Sequence, residues 1–252
     1  MNLRRSVELL RRRILCGSNR RVRSLEQRGP LVSFCFDDFP RTALTIGGSI
    51  LRRFGVCGTY YVSAALRNKS GATGNYFCLD DLTCLIDNGH EIGSHTYSHI
   101  SSRRVPLAAF CNDVSHGREW LLDKGLPVSD NFAYPYGEVT MAAKKSLSTN
   151  MASCRGIYPG INSAAVDLNL LRANSLYGGI ELIKKSEGLI LNNQQQRGWL
   201  IFYTHDVQES PSPFGCTPQL LEATVSAAVR HSEVVRIADA ITALKPQTGI
   251  PV

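Results

Sequence analysis

No stretch of this sequence approaches the ~20 consecutive apolar residues that a membrane-spanning helix requires. The start does not read as a secretory signal either. Such a signal needs an unbroken apolar core of about 7–15 residues, and here Leu9-Leu10 is parted from Ile14-Leu15 by Arg11, Arg12 and Arg13. Cysteine is present, with 8 in the chain, but no two stand in a Cys-x-x-Cys pair. Several lie inside apolar runs, which predicts buried reduced thiols and not a disulfide framework. No internal repeat or low-complexity linker breaks the sequence, so one domain is expected. Acidic residues are nearly missing at the start: residues 1–28 hold Arg4, Arg5, Arg11, Arg12, Arg13, Arg20, Arg21, Arg23 and Arg28 against Glu8 and Glu26. The net charge of +7 therefore belongs to a basic arm, residues 1–29, ahead of a near-neutral domain, residues 30–252. That distribution does not by itself suggest that the domain binds nucleic acid, and no nucleic-acid partner is expected. Leu3, Val7, Leu10, Ile14 and Leu15 share one face of a helix in the arm. Two roles fit such a helix: contact with an anionic membrane surface, or packing on the domain. The expectation is a cytoplasmic protein, peripheral at the inner membrane face when the arm engages lipid.

What is present is enough for a sizeable core, at 43% hydrophobic content. Residues 31–36, 59–62, 90–94, 131–134, 152–156, 170–174, 199–204 and 233–237 are short runs that read as strands. Between them apolar residues recur at helical spacing. The clearest sets are Ala43, Ile46, Ile50, Leu51 and Phe54 before Gly55, and Leu220, Leu221, Thr224, Val225 and Ala228. Alternating strand and helix predicts an α/β fold with a mainly parallel sheet, closed or partly closed as a barrel. Active sites of such barrels form at the carboxyl ends of the strands. Asp37-Asp38, His95, His99, Tyr136 and His205 all fall there.

The chemistry centres on Gly93-Ser94-His95-Thr96-Tyr97-Ser98-His99. Two histidines at this spacing bring two imidazoles to one metal, and a carboxylate from Asp37-Asp38 completes a facial site with open positions. Zn²⁺ suits these ligands, and Co²⁺ or Ni²⁺ fit the same set. Paired aspartates before Pro40 also make turns or caps, and His-x-x-x-His pairs arise by chance. A third block is Tyr134-Pro135-Tyr136-Gly137, and a fourth runs from Trp199 to His205.

In this order the four blocks resemble the polysaccharide deacetylases, carbohydrate esterase family four, over roughly residues 31–244. The resemblance implies a distorted (β/α) barrel in a single domain and one divalent metal ion, held by Asp38, His95 and His99. It implies Asp37 as general base, His205 as general acid, and the Tyr136 N–H as a donor to the oxyanion. Leu200 would line the acetyl pocket and Pro135 the substrate subsite. The sequence also departs from the family pattern. Ala133 stands where an arginine usually orients the aspartate, and Arg172, near the end of a later predicted strand, is the expected replacement. Phe39 replaces the usual glycine after the aspartates and is expected to narrow the cleft. The family's aspartate-rich block is not recognisable, Asp167 being the nearest candidate. His90, His116 and His231 belong to no motif and are assigned to structure or surface. The function expected is removal of an N-acetyl or similar acyl group from an amino-sugar glycan, glycolipid or precursor. Two alternatives stay open: hydrolysis of another non-peptide C–N bond on the same barrel, and a catalytically silent glycan-binding relative.

Overall fold

The computed structural model describes residues 3–25 and 29–246, with side chains for 10–25 and 29–244. The side chains of Leu3 and Val7, and residues Glu26 and Arg28, lie outside that description. The chain begins with α1 (Leu3–Gly17), β1 (Val22–Ser24) and β2 (Leu31–Asp37). A π-helical turn, Ala43–Gly48, then runs into α2 (Ser49–Arg53). Next come β3 (Thr59–Val62), the hairpin β4 (Ser70–Gly71) and β5 (Gly74–Asn75), α3 (Leu79–Asp87), β6 (Glu91–Ser94) and α4 (Leu107–Asp123). They are followed by β7 (Val128–Ala133), α5 (Met141–Leu147), β8 (Ser153–Arg155), β9 (Val166–Asp167) and β10 (Asn174–Ser175). The chain closes with α6 (Ile183–Gln196), β11 (Trp199–Thr204), α7 (Pro218–His231), β12 (Glu233–Val234), α8 (Ile237–Thr242) and β13 (Lys245–Pro246).

The main sheet runs β10-β11-β2-β3-β6-β7-β8, with β12 on β2, and every pairing is parallel. It curls into half of a (β/α) barrel. Both faces of a parallel sheet are covered, so its strands are apolar throughout, and alternation decides which way each side chain goes. Val32, Phe34, Phe36, Leu200 and Phe202 pack under the helices with Leu51, Leu82, Leu220, Leu221 and Val225. Leu31, Cys35, Tyr61, Ala133, Trp199, Ile201 and Tyr203 fill the inner face. The same parity sends Asp37 inward, where β2 ends.

The expected strand at 170–174 is mostly a loop. Only Asn174–Ser175 pairs with β11, while Leu171 makes an isolated bridge to Arg155. Leu168, Leu170 and Leu171 are buried, so the apolar run reflects loop residues plugging the barrel wall, not a strand.

Residues 10–25, in the segment read as an arm, are fastened to the domain. Strand β1 pairs antiparallel with β9 and β13. Leu15 is buried with Phe110, Tyr134, Val139 and Leu147. The fully buried Lys144 donates from Nζ to the carbonyls of Leu15 (2.8 Å) and Ser18 (2.7 Å) and to Asp167 Oδ2 (2.8 Å). No helix among the described residues is long and apolar enough to cross a membrane. The eight cysteines are unpaired; Cys35, Cys154 and Cys216 are buried and Cys84 is exposed.

Candidate active site

After Asp37 the backbone turns through two left-handed residues, Asp38 (φ 63°) and Phe39 (φ 57°). Thr96 (63°), His99 (55°) and Tyr136 (60°) share that conformation. It costs a side-chain-bearing residue about 1–3 kcal/mol in general, and such strain concentrates at working sites. Here it swings Asp38 away from the strand and toward the histidines. Phe39 does not narrow the cleft. It is buried and stacks on Phe77, with Tyr60 edge-on, so a glycine-favouring backbone position has been recruited into the core.

Asp38, His95 and His99 converge from two loops. His95 Nε2 lies 3.4 Å and His99 Nε2 3.0 Å from Asp38 Oδ1, and the three ligand atoms all fall within 4.8 Å of one another. Each imidazole is held from its other nitrogen. His95 Nδ1 sits 2.7 Å from the Ala133 carbonyl, which only accepts, so Nδ1 carries the proton and Nε2 offers its lone pair. His99 Nδ1 is 3.1 Å from the Tyr136 hydroxyl. Asp38 Oδ1 is buried without a conventional hydrogen-bond donor. One carboxylate oxygen and two imidazole nitrogens, spaced this way and oriented from behind, fit a single divalent cation. Burial opposes the charge on Asp38, but the facing His95 and His99 side chains outweigh it and hold the carboxyl well below its usual range.

Asp37 has a different partner. Arg155 Nη2 donates to Asp37 Oδ1 at 2.5 Å, and its guanidinium lies between the rings of Tyr61 (4.9 Å) and Tyr203 (5.0 Å). Burial works against this cation, yet Asp37 above all keeps it charged, so its pKa is raised. Arg155 stands directly across from Ala133 in the β7–β8 register. The guanidinium missing from the third block is thus supplied by the next strand. Arg172, expected to do this, does not reach the site: it donates to the Pro159 carbonyl at 3.2 Å and faces a separate depression with Arg20 and Tyr158. The signal for Arg155 was a lone arginine at the carboxyl end of a short buried strand.

His205, just past β11, places Nδ1 3.1 Å from the Phe214 carbonyl and Nε2 3.9 Å from Asp38 Oδ2. Its loop is pinned by the buried Asp206, which accepts from Ser212 N (2.8 Å), Ser212 Oγ (2.5 Å) and Gln208 Nε2 (2.9 Å). Asp37, Asp38, His95, His99, Tyr136 and His205 border one cleft of about 410 Å³, walled by Tyr76, Tyr177, Tyr203, Ile157 and Phe214. Gly137 (φ 63°) admits this packing, since a Cβ there would meet Ile157 Cγ1 at 2.1 Å.

Two expected substrate contacts are not in the cleft. Leu200 faces the helices because its parity on β11 is opposite to that of Tyr203, which takes the wall position. Pro135 is buried behind Tyr136 and does not border the cavity. Asp167 is committed to Lys144 in the small outer sheet. Of the other histidines, His90 is buried and accepts from Gly58 N (3.0 Å), and His116 stacks on Tyr97.

A family model described as polysaccharide deacetylase matches residues 24–151. No curated protein matches the chain by sequence. Among solved structures, the chitin deacetylase of Colletotrichum lindemuthianum superposes with a TM-score of 0.58 at 15% identity, over 85% of this chain and 88% of that one. A family 4 acetyl xylan esterase from Clostridium thermocellum, solved with a cobalt ion, gives 0.57 at 19% identity over 84% and 90%. The CE4 domain of a multidomain xylanase from the Trinervitermes trinervoides hindgut metagenome gives 0.56 at 16% over 85% and 91%. At these identities the likeness establishes the fold.

Proposed function

Because the chain belongs to the polysaccharide deacetylase family, which acts on acetylated carbohydrates, we propose that it is a metal-dependent hydrolase removing an N-acetyl group from an amino sugar. The observation that carries this reading is the buried Asp38 Oδ1, without a conventional donor and faced by two oriented imidazoles, next to an Asp37 clamped by Arg155. A divalent cation held by Asp38 and the Nε2 atoms of His95 and His99, zinc first and cobalt or nickel by the same ligands, would polarise the acyl carbonyl and acidify water. The Clostridium esterase was solved with one such divalent ion, cobalt.

The remaining steps are assigned to the chain's own groups. Asp37, oriented by Arg155, accepts a proton from water as the water oxygen bonds to the carbonyl carbon. The Tyr136 N–H donates to the carbonyl oxygen as it becomes negative. His205, anchored through Nδ1–H to the Phe214 carbonyl, delivers a proton from Nε2 to the departing nitrogen as the C–N bond breaks. Acetate and a free amine are the products. The aromatic wall of Tyr76, Tyr177 and Phe214 suits the apolar face of a sugar ring, with a few convergent polar groups fixing its orientation.

The test is acetate release from N-acetylated chito-oligosaccharides and from O-acetylated xylan, with and without a chelator. Acetate from the amide substrate is expected, with suppression on chelation and a loss of at least ~10²-fold in Asp37→Asn. Absence of both acetate release and metal binding would overturn the proposal and leave a silent glycan-binding domain. Acetate from xylan alone would move the reaction from amide to ester.

A further inference from the structure

We propose that the outward face of α1 docks on an anionic membrane surface, beside the mouth of the catalytic cleft. Three observations meet there. The first is an apolar patch. Leu10 (60% exposed) and Ile14 (49%) lie one helical turn apart on α1, and Met141 (39%) at the start of α5 joins them. Together with Leu15 and Thr140 they border an open depression of about 380 Å³. This patch is presented rigidly, because the neighbouring Leu15 is buried against the domain and Lys144 bonds the Leu15 and Ser18 carbonyls.

The second is charge. Residues 9–25 contain Arg11, Arg12, Arg13, Arg20, Arg21 and Arg23 and no aspartate or glutamate. Arg13 and Arg20 are exposed. An apolar strip between basic residues is the composition of a helix lying in a lipid interface. Near an acidic leaflet each added arginine raises partitioning roughly five-fold. The apolar patch is small, so it needs that electrostatic help. The same charge disfavours a second copy of the chain as the occupant, because a two-fold contact would set two basic faces against each other.

The third is position. Arg11 donates to the Val139 carbonyl (3.0 Å), and Arg12 lies over the Tyr158 ring, 4.9 Å from its centroid. These are the loops beyond β7 and β8 that also carry Tyr136, Gly137 and Ile157 into the cleft wall. Further along, Arg21 donates to the carbonyls of Ser148 (3.0 Å) and Ala152 (2.6 Å), ahead of the amino end of β8. The segment therefore runs against the strands, with Leu10 toward the mouth and Arg21 toward the floor. Docking through Leu10 and Ile14 would bring the cleft close to the lipid surface. None of this depends on the deacetylase reading.

The experiment is co-sedimentation of the full chain with phosphatidylcholine vesicles, with and without a minority of phosphatidylglycerol, at low and high salt. Binding to the phosphatidylglycerol vesicles alone, weakened by salt, is expected. Arg13→Glu should reduce it by at least ~10-fold, and Leu10→Glu with Ile14→Glu should abolish it. Both variants should keep the wild-type circular dichroism spectrum and melting temperature, since these side chains are exposed. Leu122→Glu, on an exposed apolar residue of α4, should bind like the wild type. The proposal is overturned if the wild type does not sediment, if the double variant binds as the wild type does, or if Leu122→Glu is equally impaired. It is also overturned if the chain forms a concentration-dependent dimer that Leu10→Glu with Ile14→Glu dissolves.

Discussion

Two buried carboxylates, Glu91 and Asp38, lie at opposite ends of the barrel strands and are treated in opposite ways. At the amino ends, Glu91 Oε1 accepts from Asn131 Nδ2 (2.6 Å), and Oε2 accepts from Thr59 Oγ1 (2.8 Å) and Ala238 N (3.0 Å). Its partners are themselves satisfied: Asn131 Oδ1 accepts from Ser153 Oγ (2.8 Å), and Thr59 Oγ1 from Ile237 N (3.0 Å). The network is closed and needs nothing from outside. At the carboxyl ends, Asp38 sits on a left-handed residue, and its Oδ1 faces two imidazole nitrogens whose other ring atoms are already engaged. Both ends bury charge; only the upper one leaves an acceptor open for a cation. A fully bonded buried carboxylate holds strands together, while an under-bonded one in strained backbone marks where a ligand completes the structure.

The comparison is broken most severely at the open end. Asp38→Asn keeps a residue that tolerates the left-handed backbone but removes the charge for the cation. Activity should fall by several kcal/mol of transition-state stabilisation, read as kcat/KM, while the melting temperature of the metal-free protein changes little. Glu91→Ala should do the reverse. It leaves Asn131 Nδ2, Thr59 Oγ1 and the Ala238 backbone N–H short of an acceptor, for a loss of about 3–5 kcal/mol in denaturant unfolding, with turnover per folded molecule preserved. If both substitutions moved the same observable, the division of labour would be wrong.

Acid should also strike the closed end. His90, next to Glu91, is buried and accepts from Gly58 N, and burial followed by the nearby Arg236 lowers its pKa from 6.5 to about 4. The unfolded chain then binds more protons than the folded one between those values. Stability should drop as pH falls from about 6.5 to about 4, by on the order of 2–3 kcal/mol. Subtracting the profile of His90→Gln isolates this contribution, and a zero difference would remove it.

The smallest expected effect concerns the arginine that changed strands. Arg155→Ala should lower kcat about 10- to 100-fold, as loss of an orienting partner does, whereas Arg172→Ala should leave it unchanged. Adding Ala133→Arg to Arg155→Ala should restore part of the loss, since the two positions face each other across β7 and β8. Failure of that rescue would make Arg155 a structural cation only.

Much of this is legible in the sequence. Every expected strand except 170–174 has its counterpart in the sheet, and Asp38, His95, His99 and His205 meet because strand ends share one rim. What escaped depends on facts that one strand does not carry. The parity of Leu200 is hidden in a strand buried on both faces. The relation of Arg155 to Ala133 is a register between strands, and the apolar run that favours Arg172 is a loop. The boundary drawn at residue 29 followed charge, and charge is blind to β1 and to the backbone carbonyls of Leu15 and Ser18.

Those two carbonyls bear on how the protein is handled at the bench. Lys144 is fully buried, and among the described residues its ammonium is met by Leu15, Ser18 and Asp167. A fragment begun at residue 30, where the composition changes, would lack two of those three acceptors and the central strand, β1, that pairs with the strand carrying the third. Trimming the basic leader to obtain a tidier enzyme would then expose a stranded ion pair and the apolar seat of Leu15, and poor solubility of such a fragment would say nothing against the fold.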